Sequence, residues 1–572
     1  MRASVISGLV LLLAQSISAQ PTGASGCTVK HGDKEWPAEA VWKAELPGVE
    51  QQQDGGGETH PDYLMVAKTV KDVQAAVKFS AKHNVRLTLI SSGHDFLGRN
   101  DATSGLWLST GNFKGSRVHA HFTPSVNGTE AVDYNTDPVG KVNVVKVEAG
   151  KETAITFGVG VSGQELTDAL DKSGLYTLGA TASTVKTAGG YAQTAGHAAF
   201  SNKWGLAADN ILEYKVVTAD GELKIANDLS NKDLFWALRG GGGGTFGVVV
   251  EATMRAFPTP KITQTKIWIE LEDHNNTDAI FPQAAYMHSK MPDLSDAGWS
   301  CYFYVYGNGF QARFINPDST QAAAEKAFAP ILAGLPKTAG VKQAIHQYSE
   351  VKNFKVWFDS LFGAAPAQDP AQPLPLEGAY PRGISHMDSR LLGRAHLESP
   401  KLAAALKEGF PKGKNGMWRG HLIGGGKVMK TPADFNSVNP AWRKTYVHII
   451  GTGVEQPNAT PLRTLAPDMG SYVNEAFAHN PDWKQTFWGT NYPRLYSIKK
   501  AVDPNGLFWV TPGIGADDFK LSEGRLCKVQ GPAKDAMYAP DTDNKNMAES
   551  TGARPYPKSQ EEADNHKGAS WP

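Results

Sequence analysis

The sequence lacks an excess of either charge. Among its 572 residues, lysine and arginine together number 57, and so do aspartate and glutamate, which gives a formal net charge of zero. Proteins that bind nucleic acids carry a basic footprint that neutralises phosphates. Because the chain as a whole supplies no such excess, we expect no nucleic-acid partner.

Long apolar runs are also missing. A membrane-spanning helix needs about 20 consecutive apolar residues, and the run at residues 5–14 is too short for that. The run follows a basic start at Arg2 and leads to small residues around Ala19, which is the pattern of a secretory signal peptide. The pattern predicts a signal peptide over residues 1–19, a secreted, extracellular protein and no membrane partner.

Cysteine is scarce, with three residues in the whole chain. In the oxidising compartment that secretion implies, one disulfide and one free thiol is the simplest arrangement. Cys301 lies in an alternating, strand-like run (WSCYFYV) and is predicted to be a buried free thiol. Cys27 and Cys527 lie near the two ends of the folded region and are the predicted pair. Triplets for N-glycosylation, which fit a secreted chain, begin at Asn127, Asn275 and Asn458.

Several catalytic motifs are absent. The sequence has no P-loop, no H-E-x-x-H zinc motif and no G-x-S-x-G elbow, which argues against ATPases, zinc proteases and α/β-hydrolases. We predict no metal site. Residues 242–247 match G-x-G-x-x-G, but a dinucleotide-binding loop must lead into a helix, and the run after Gly247 (VVVEAT) is typical of a strand. We therefore predict a tight glycine loop that passes close to a bulky neighbour.

The order of predicted elements indicates an α+β protein with more than one domain. Residues 63–90 have the pattern of a strand–helix–strand unit, and residues 141–150 alternate like a strand. Beyond Pro258 the pattern changes to longer strands (261–271, 298–316, 445–453) and helices (319–335, 460–479). The predicted divisions are a lead-in at 20–60, a first domain at 61–258, a second domain at 259–484, a C-terminal segment at 485–530 and a polar tail at 531–572.

The segment around His94 is the most informative one. His94 directly follows a predicted strand and stands in a glycine turn beside Asp95. On its own, such a histidine is more often an ordinary surface residue. The alternative is a neutral imidazole that acts as a nucleophile, with its tautomer set by local hydrogen bonds.

The sequence resembles the flavoprotein superfamily of vanillyl-alcohol oxidase and p-cresol methylhydroxylase (VAO/PCMH). Within this superfamily, the sequence most resembles the berberine-bridge-enzyme-like branch, in particular its secreted fungal members similar to isoamyl-alcohol oxidase. The resemblance covers residues 60–258 and returns near the C-terminus. The motifs that carry it are SSGHDFLGR at 91–99, TVKTAGGYAQTAGH at 184–197, WGLAADN at 204–210, DLFWALRGGGGGTFGVV at 233–249, NY at 491–492 and DPNGLFWVTPGIG at 503–515.

The resemblance implies a bilobal α+β flavoprotein. Its parts are a PCMH-type FAD-binding domain of two subdomains, an α+β substrate domain with a large antiparallel sheet, and a C-terminal segment that returns to the flavin lobe. Relatives often bond the flavin 8α-methyl group to a histidine at the position of His94, and C6 to a cysteine in a C-P-T-V run. Here that run is ASTV, with Ala182 in place of the cysteine. The implied cofactor is FAD with a single covalent bond, through His94.

Backbone N–H groups in glycine turns neutralise a pyrophosphate without a basic domain. These turns and the resemblance together assign a set of residues to FAD. The set is Ser91, Ser92, Gly93, His94, Asp95, Ser183, Thr184, Gly189, Gly190, Gly196, Asn210, Val248 and Asn491.

The resemblance assigns three residues to catalysis. His197 falls where relatives place an aromatic residue near the flavin, Tyr492 belongs to the Asn-Tyr pair, and Lys427 follows a glycine run. Each of these residues has a structural alternative: His197 as a packed histidine, Tyr492 as a core tyrosine and Lys427 as a solvated lysine. For Lys427 the structural alternative is at least as good an explanation.

The implied reaction is the oxidation of a small-molecule substrate such as an alcohol. A substrate C–H gives a hydride to the flavin while His197 or Tyr492 takes the proton of the adjacent O–H or N–H. Dioxygen then reoxidises the flavin and leaves as hydrogen peroxide. We expect a monomer. Three alternatives remain open. They are an oxidative cyclase or desaturase, a flavin dehydrogenase with another acceptor, and a flavin-binding protein without turnover.

Overall fold

The computed structural model describes residues 26–52, 60–272, 277–337, 340–362, 386–413 and 415–529. The predicted signal peptide, the triplet at Asn275 and the polar tail lie outside these residues.

The first lobe contains two sheets and the helices that cover them. Its strands are β1 (Glu50–Gln51), β2 (Tyr63–Val66), β3 (Leu87–Ile90), β4 (Leu106–Ser109), β5 (Ser116–His119), β6 (Thr153–Gly158), β7 (Leu175–Tyr176), β8 (Ile211–Val217), β9 (Leu223–Asn227) and β10 (Val248–Pro258). Its helices are α1 (Glu39–Glu45), α2 (Val70–His83), α3 (Gly163–Asp171), α4 (Ser201–Trp204), α5 (Ala207–Asn210) and α6 (Lys232–Leu238).

The predicted strand–helix–strand unit is confirmed as β2, α2 and β3. A capping box between Thr69 and Asp72 begins α2, and Val73, Ala76 and Val77 bury one of its faces. The first sheet has the order β1-β2-β4-β3, in which β4 runs parallel to both of its neighbours. The second sheet is antiparallel, with the order β5-β6-β10-β8-β9 and β7 beside β10.

The second lobe is built on one large antiparallel sheet. Its strands are β11 (Ile262–Leu271), β12 (Ser300–Tyr306), β13 (Gly309–Pro317), β14 (Val341–Val351), β15 (Asp388–Leu392), β16 (Met417–Leu422) and β17 (Val447–Thr452), in the spatial order β14-β11-β13-β12-β16-β17-β15. Its helices are α7 (Ile280–Asp296), α8 (Gln321–Ala333), α10 (Arg394–Leu397), α11 (Leu402–Glu408), α12 (Gly426–Lys430) and α13 (Thr460–Leu465), whereas α9 (Phe354–Phe362), which follows β14, packs against the core of the first lobe.

The remaining elements, α14 (Trp483–Trp488), α15 (Tyr492–Val502), β18 (Phe519–Ser522) and β19 (Arg525–Lys528), return to the first lobe. Trp488 Nε1 donates a hydrogen bond of 3.2 Å to the carbonyl oxygen of Gly240. The buried ammonium of Lys499 donates one of 2.7 Å to the carbonyl oxygen of Thr245. Both bonds tie the C-terminal segment to the glycine loop that precedes β10.

Three sequence-based predictions of secondary structure are wrong. Residues 141–150 form no strand, because the side chain of Asn143 makes both hydrogen bonds to the backbone of Val118 that a neighbouring strand would make. The helix predicted over 460–479 ends at Leu465, since Pro467 disfavours helical backbone at the residue before it. Residues 298–316 form a hairpin of two strands instead of a single strand.

The predicted disulfide between Cys27 and Cys527 is present, and Cys301 is a buried free thiol, as expected. Among the described residues, no helix combines the length and the apolar character that crossing a membrane requires.

The disulfide joins residues that are 500 positions apart in the chain. A cross-link of this kind restricts the unfolded chain, so its loss should cost about 2–5 kcal/mol of stability. We expect the Cys27→Ser/Cys527→Ser double variant to unfold at a lower temperature than the parent in calorimetry. Cys301→Ala is the control that removes a thiol without removing the cross-link. Equal unfolding temperatures for the parent and the double variant would contradict a stabilising role.

Candidate functional site

A cavity of about 440 Å³ lies between the two lobes. Residues from the segments 89–100, 180–197 and 243–249 line it on the side of the first lobe. Side chains of β11, β12, β13 and β16 line it on the side of the second lobe. Its size is that of a site for a cofactor or another small molecule.

The turn after β3 holds His94 at the wall of this cavity. Gly93 adopts a φ of +77°, in a region of backbone conformation that favours glycine. His94 Nε2 lies 2.7 Å from Thr184 Oγ1. Burial, together with the charge of Lys186, lowers the pKa of His94. The imidazole is therefore neutral at neutral pH and keeps a nucleophilic lone pair.

Three glycines bring the backbone segments of the first lobe together. Gly189 and Gly190 lie in a short π-helical turn, Thr187–Tyr191. A Cβ atom on Gly189 would lie 2.6 Å from Ser91 Oγ, and one on Gly243 would lie 2.7 Å from Gly190 Cα. A Cβ atom on Gly190 would meet no atom within 4 Å and would enter the cavity. The glycines thus form a cradle with room for a ligand. The close approach to a bulky neighbour that was predicted for the glycine loop is confirmed at Gly241, where a Cβ atom would lie 2.5 Å from the ring of Phe246.

Four ionisable side chains converge at another part of the cavity, where three of them belong to the lining and the fourth, His448, is fully buried. They are His197, His421, His448 and Glu475. Glu475 Oε2 lies 3.0 Å from His197 Nε2 and 3.5 Å from His448 Nδ1. The ring centroids of His197 and His421 are 4.5 Å apart. Arg419 Nη2 lies 3.6 Å from the other oxygen of Glu475, Oε1. We call these four side chains the His–Glu cluster.

The surroundings fix the charge of the cluster. Burial opposes the ionisation of Glu475, but its neighbours, chiefly the hydrogen-bonded His197 and the charge of Arg419, outweigh it and hold the pKa of Glu475 well below its usual range. Burial lowers the pKa of His448 to about 3 and that of His421 well below the usual value. At neutral pH the cluster therefore contains an ionised carboxylate beside two neutral imidazoles.

The second lobe presents a cationic and aromatic wall to the same cavity. Alternate residues of neighbouring strands form two cross-strand rows, one of Lys266, Arg313, Tyr302, His421 and His448, and one of Trp268, Gln311, Tyr304 and Arg419. Burial and the adjacent charge of Arg313 lower the pKa of Lys266 to about 7.

Two family models match the chain, one described as an FAD binding domain at residues 61–227 and one described as berberine and berberine-like at residues 471–515. An FAD-linked oxidoreductase of Arthroderma benhamiae is 34% identical over 533 residues, which cover 87% of this chain and 84% of that protein. This chain belongs to the VAO-type family of FAD-linked oxidoreductases.

Solved structures of the family share the architecture. The VAO-type flavoprotein MtVAO615 from Myceliophthora thermophila C1 superposes with a TM-score of 0.74 at 26% identity and covers 88% of this chain and 100% of its own. Glucooligosaccharide oxidase from Acremonium strictum, a protein with 6-S-cysteinyl, 8α-N1-histidyl FAD, has a TM-score of 0.60 at 16% identity and covers 82% of this chain and 97% of its own. The predicted α+β fold with a PCMH-type FAD-binding domain is confirmed.

The residues present fit the FAD that the family binds. The cradle leaves open space at Gly190, and the turn at Gly93 and His94 lies beside it on the same cavity. Backbone N–H groups of such turns and a neutral imidazole suit a cofactor that carries both a diphosphate and an electrophilic ring.

The predicted FAD residues fall into two groups. One group lines the cavity and consists of Ser91, Ser92, Gly93, His94, Asp95, Gly189, Gly190 and Val248. The other group is not part of the lining and consists of Ser183, Thr184, Gly196, Asn210 and Asn491.

Residues of the second group make contacts within the fold. Thr184 reaches the cavity indirectly, through His94. Asn210 Nδ2 donates to the carbonyl oxygens of Trp204 and Leu206, and Asn491 Nδ2 donates to that of Val438.

The structure brings one of the three predicted catalytic residues, His197, to the cavity. Tyr492 lies outside the lining, where its hydroxyl accepts a hydrogen bond of 3.2 Å from the backbone of Gly515. Lys427 lies on α12 as an exposed side chain, also outside the lining. These placements agree with the alternatives of a core tyrosine and a solvated lysine.

Sequence reasoning missed three members of the His–Glu cluster. His421 and His448 stand directly opposite each other on β16 and β17, and this register depends on tertiary pairing. Glu475 lies in the segment that was predicted to be helical. The alternation of His421 with apolar neighbours is a signal for a strand, but it does not indicate which residue lies across from it.

Gly190 offers a test of the cradle. A Cβ atom at Gly190 would meet no atom within 4 Å, so the side chain of Gly190→Leu should extend into the cavity. The variant should fold while its FAD affinity falls by at least about tenfold, or about 1.4 kcal/mol. Flavin absorbance per chain, beside the thermal unfolding midpoint, measures both effects. Gly190→Ala, which adds a single carbon, is the matched control and should retain most of the flavin. Full flavin content in the leucine variant would place FAD elsewhere.

Proposed function

We propose that the protein is a secreted FAD-dependent oxidase. It moves a hydride from a C–H group of a small-molecule substrate, an alcohol or a similar compound, to FAD bonded to His94, and dioxygen is reduced to hydrogen peroxide. The observation that carries the proposal is that one cavity is lined both by the half-buried, neutral His94 beside a glycine cradle and by His197, whose ring is hydrogen-bonded to Glu475.

The covalent bond to His94 is supported by local structure. Its neutral ring is a competent nucleophile, and the contact with Thr184 Oγ1 orients the ring through Nε2. Ala182, which also lines the cavity, has no nucleophilic atom for a second bond. A single linkage therefore follows. FAD, once bound, supplies the hydride acceptor.

The chain's own residues account for the proton. Glu475 Oε2, at 3.0 Å, is placed to accept a hydrogen bond from His197 Nε2, which fixes the tautomer of the ring. In that tautomer Nδ1 carries the lone pair, and it has no hydrogen-bond partner in the described part of the chain. This nitrogen is buried, so a rotation of the His197 ring that turns it toward the cavity would let it accept the proton of a substrate O–H as the C–H bond breaks. Tyr492 and Lys427 lie outside the cavity lining, and the proposal therefore assigns this role to His197.

Secretion is supported by two features of the folded chain. The Cys27–Cys527 disulfide suits an oxidising compartment. The glycosylation triplets at Asn127 and Asn458 begin at exposed residues.

His94→Ala should abolish covalent attachment. In the parent, acid precipitation should leave the yellow flavin with the protein, and in the variant the flavin should pass into the supernatant. His119→Ala is the matched control, because His119 is another histidine whose pKa burial lowers, to about 4, and its Nε2 lies 2.8 Å from Thr156 Oγ1. Flavin that stays with the precipitated His94→Ala protein would move the bond to another residue.

The reaction itself is tested by anaerobic reduction of the flavin. Across a panel of alcohols, sugars and phenols, at least one compound should bleach the flavin, and admitted oxygen should restore the colour with release of peroxide. Restoration only by an artificial acceptor would indicate a dehydrogenase. A product with a new ring or double bond would indicate a cyclase or desaturase, and no bleaching would favour a flavin-binding protein without turnover.

A further inference from the structure

We propose that His197, His421, His448 and Glu475 bind a divalent transition-metal ion, zinc in the first place, at the wall of the flavin cavity. The four ligands come from separate segments of the chain, two of them on the paired strands β16 and β17. No sequence motif with metal-ligand spacing links them, which explains why the sequence predicts no metal site.

The geometry is close to that of a metal centre. One ligand atom from each of the four side chains lies within 4.8 Å of every other. In a tetrahedral zinc site with bonds of about 2.0–2.1 Å, ligand atoms stand about 3.3 Å apart. The separations of Glu475 Oε2 from His197 Nε2, 3.0 Å, and from His448 Nδ1, 3.5 Å, bracket that value. The wider separations, which reach up to 4.8 Å, would have to shorten by up to about 1.5 Å when the ion binds.

The cluster contains buried nitrogens that need a partner. The side chain of His448 is fully buried, and within the described residues neither of its nitrogens has a hydrogen-bond partner. The Nδ1 atom of His421 is also buried without one. Unsatisfied polar groups of this kind are costly and uncommon in native structures. Coordination would give one nitrogen of each ring a strong partner.

The donor set selects the class of ion. Three imidazoles and one carboxylate suit zinc, copper, nickel or iron, whereas magnesium and calcium prefer sites made of oxygen atoms. Arg419 Nη2 lies 3.6 Å from Oε1 of Glu475, so the guanidinium faces the oxygen that the cluster does not use. Oε2 is thereby left for the ion.

A metal here would border the space where substrate enters, because His197 and His421 line the cavity. Zinc accepts a fifth ligand, so a substrate hydroxyl could coordinate, and the charge of the ion would lower the pKa of that hydroxyl. His197 would then be a ligand and no longer the proton acceptor. This role in the reaction rests on the proposed function, whereas binding of the ion does not.

The test is metal analysis of the purified flavoprotein after exposure to Zn²⁺ and removal of the excess. The parent should retain one zinc per chain, and the affinity should fall by about tenfold or more in His421→Ala and in Glu475→Gln. His288→Gln is the matched control, since His288 is a fully buried histidine of the same lobe outside the cluster. It should bind zinc like the parent.

Substitution with Co²⁺ provides a second measurement that needs no variant. The parent should show the intense visible bands of a tetrahedral cobalt site with nitrogen ligands, and added Zn²⁺ should remove them. No retained metal and no such bands in the parent would overturn the proposal, as would zinc that stays equally tight in both cluster variants. A metal-free protein whose flavin is still bleached by substrate would refute the metal site and leave the proposed oxidase intact.

Discussion

Close contact between three backbone segments of the first lobe determines the site. The side chain of Ser91 packs against Gly189, and the loop at Gly243 packs against the backbone of Gly190, so both segments lie against the π-helical turn. Because a Cβ atom at Gly189 or Gly243 would force them apart, the position of His94 relative to the cavity depends on these glycines. The cavity, the neutral imidazole and the fit to FAD all follow from this contact.

The second lobe completes the site through the two-residue repeat of its strands. Ile267 and Ile269 of β11 pack in the core of the lobe. Lys266 and Trp268, which alternate with them along the strand, face the cavity. One sheet thereby supplies both the packing that stabilises the lobe and a cationic, aromatic wall. The C-terminal segment then holds the first lobe together, with Lys499 bonded to the backbone before β10.

Contiguous motifs in the sequence predicted several residues that line the cavity on the side of the first lobe, His94 among them. His94 stands in a contiguous motif, and its turn requires glycine, so both features are visible in a few residues. His421 and His448 meet through strand register, which no local pattern encodes. Local patterns also misled where a side chain took over backbone hydrogen bonds, as Asn143 does, or where a proline ended a helix, as Pro467 does.

The visible absorption spectrum of the purified full-length protein, followed by flavin quantification after proteolysis, tests the central claim that the cavity holds FAD. The account predicts a yellow protein with one flavin per chain, recovered on the peptide that contains His94. A colourless protein that yields no flavin, and takes up none when supplied with FAD, would contradict it.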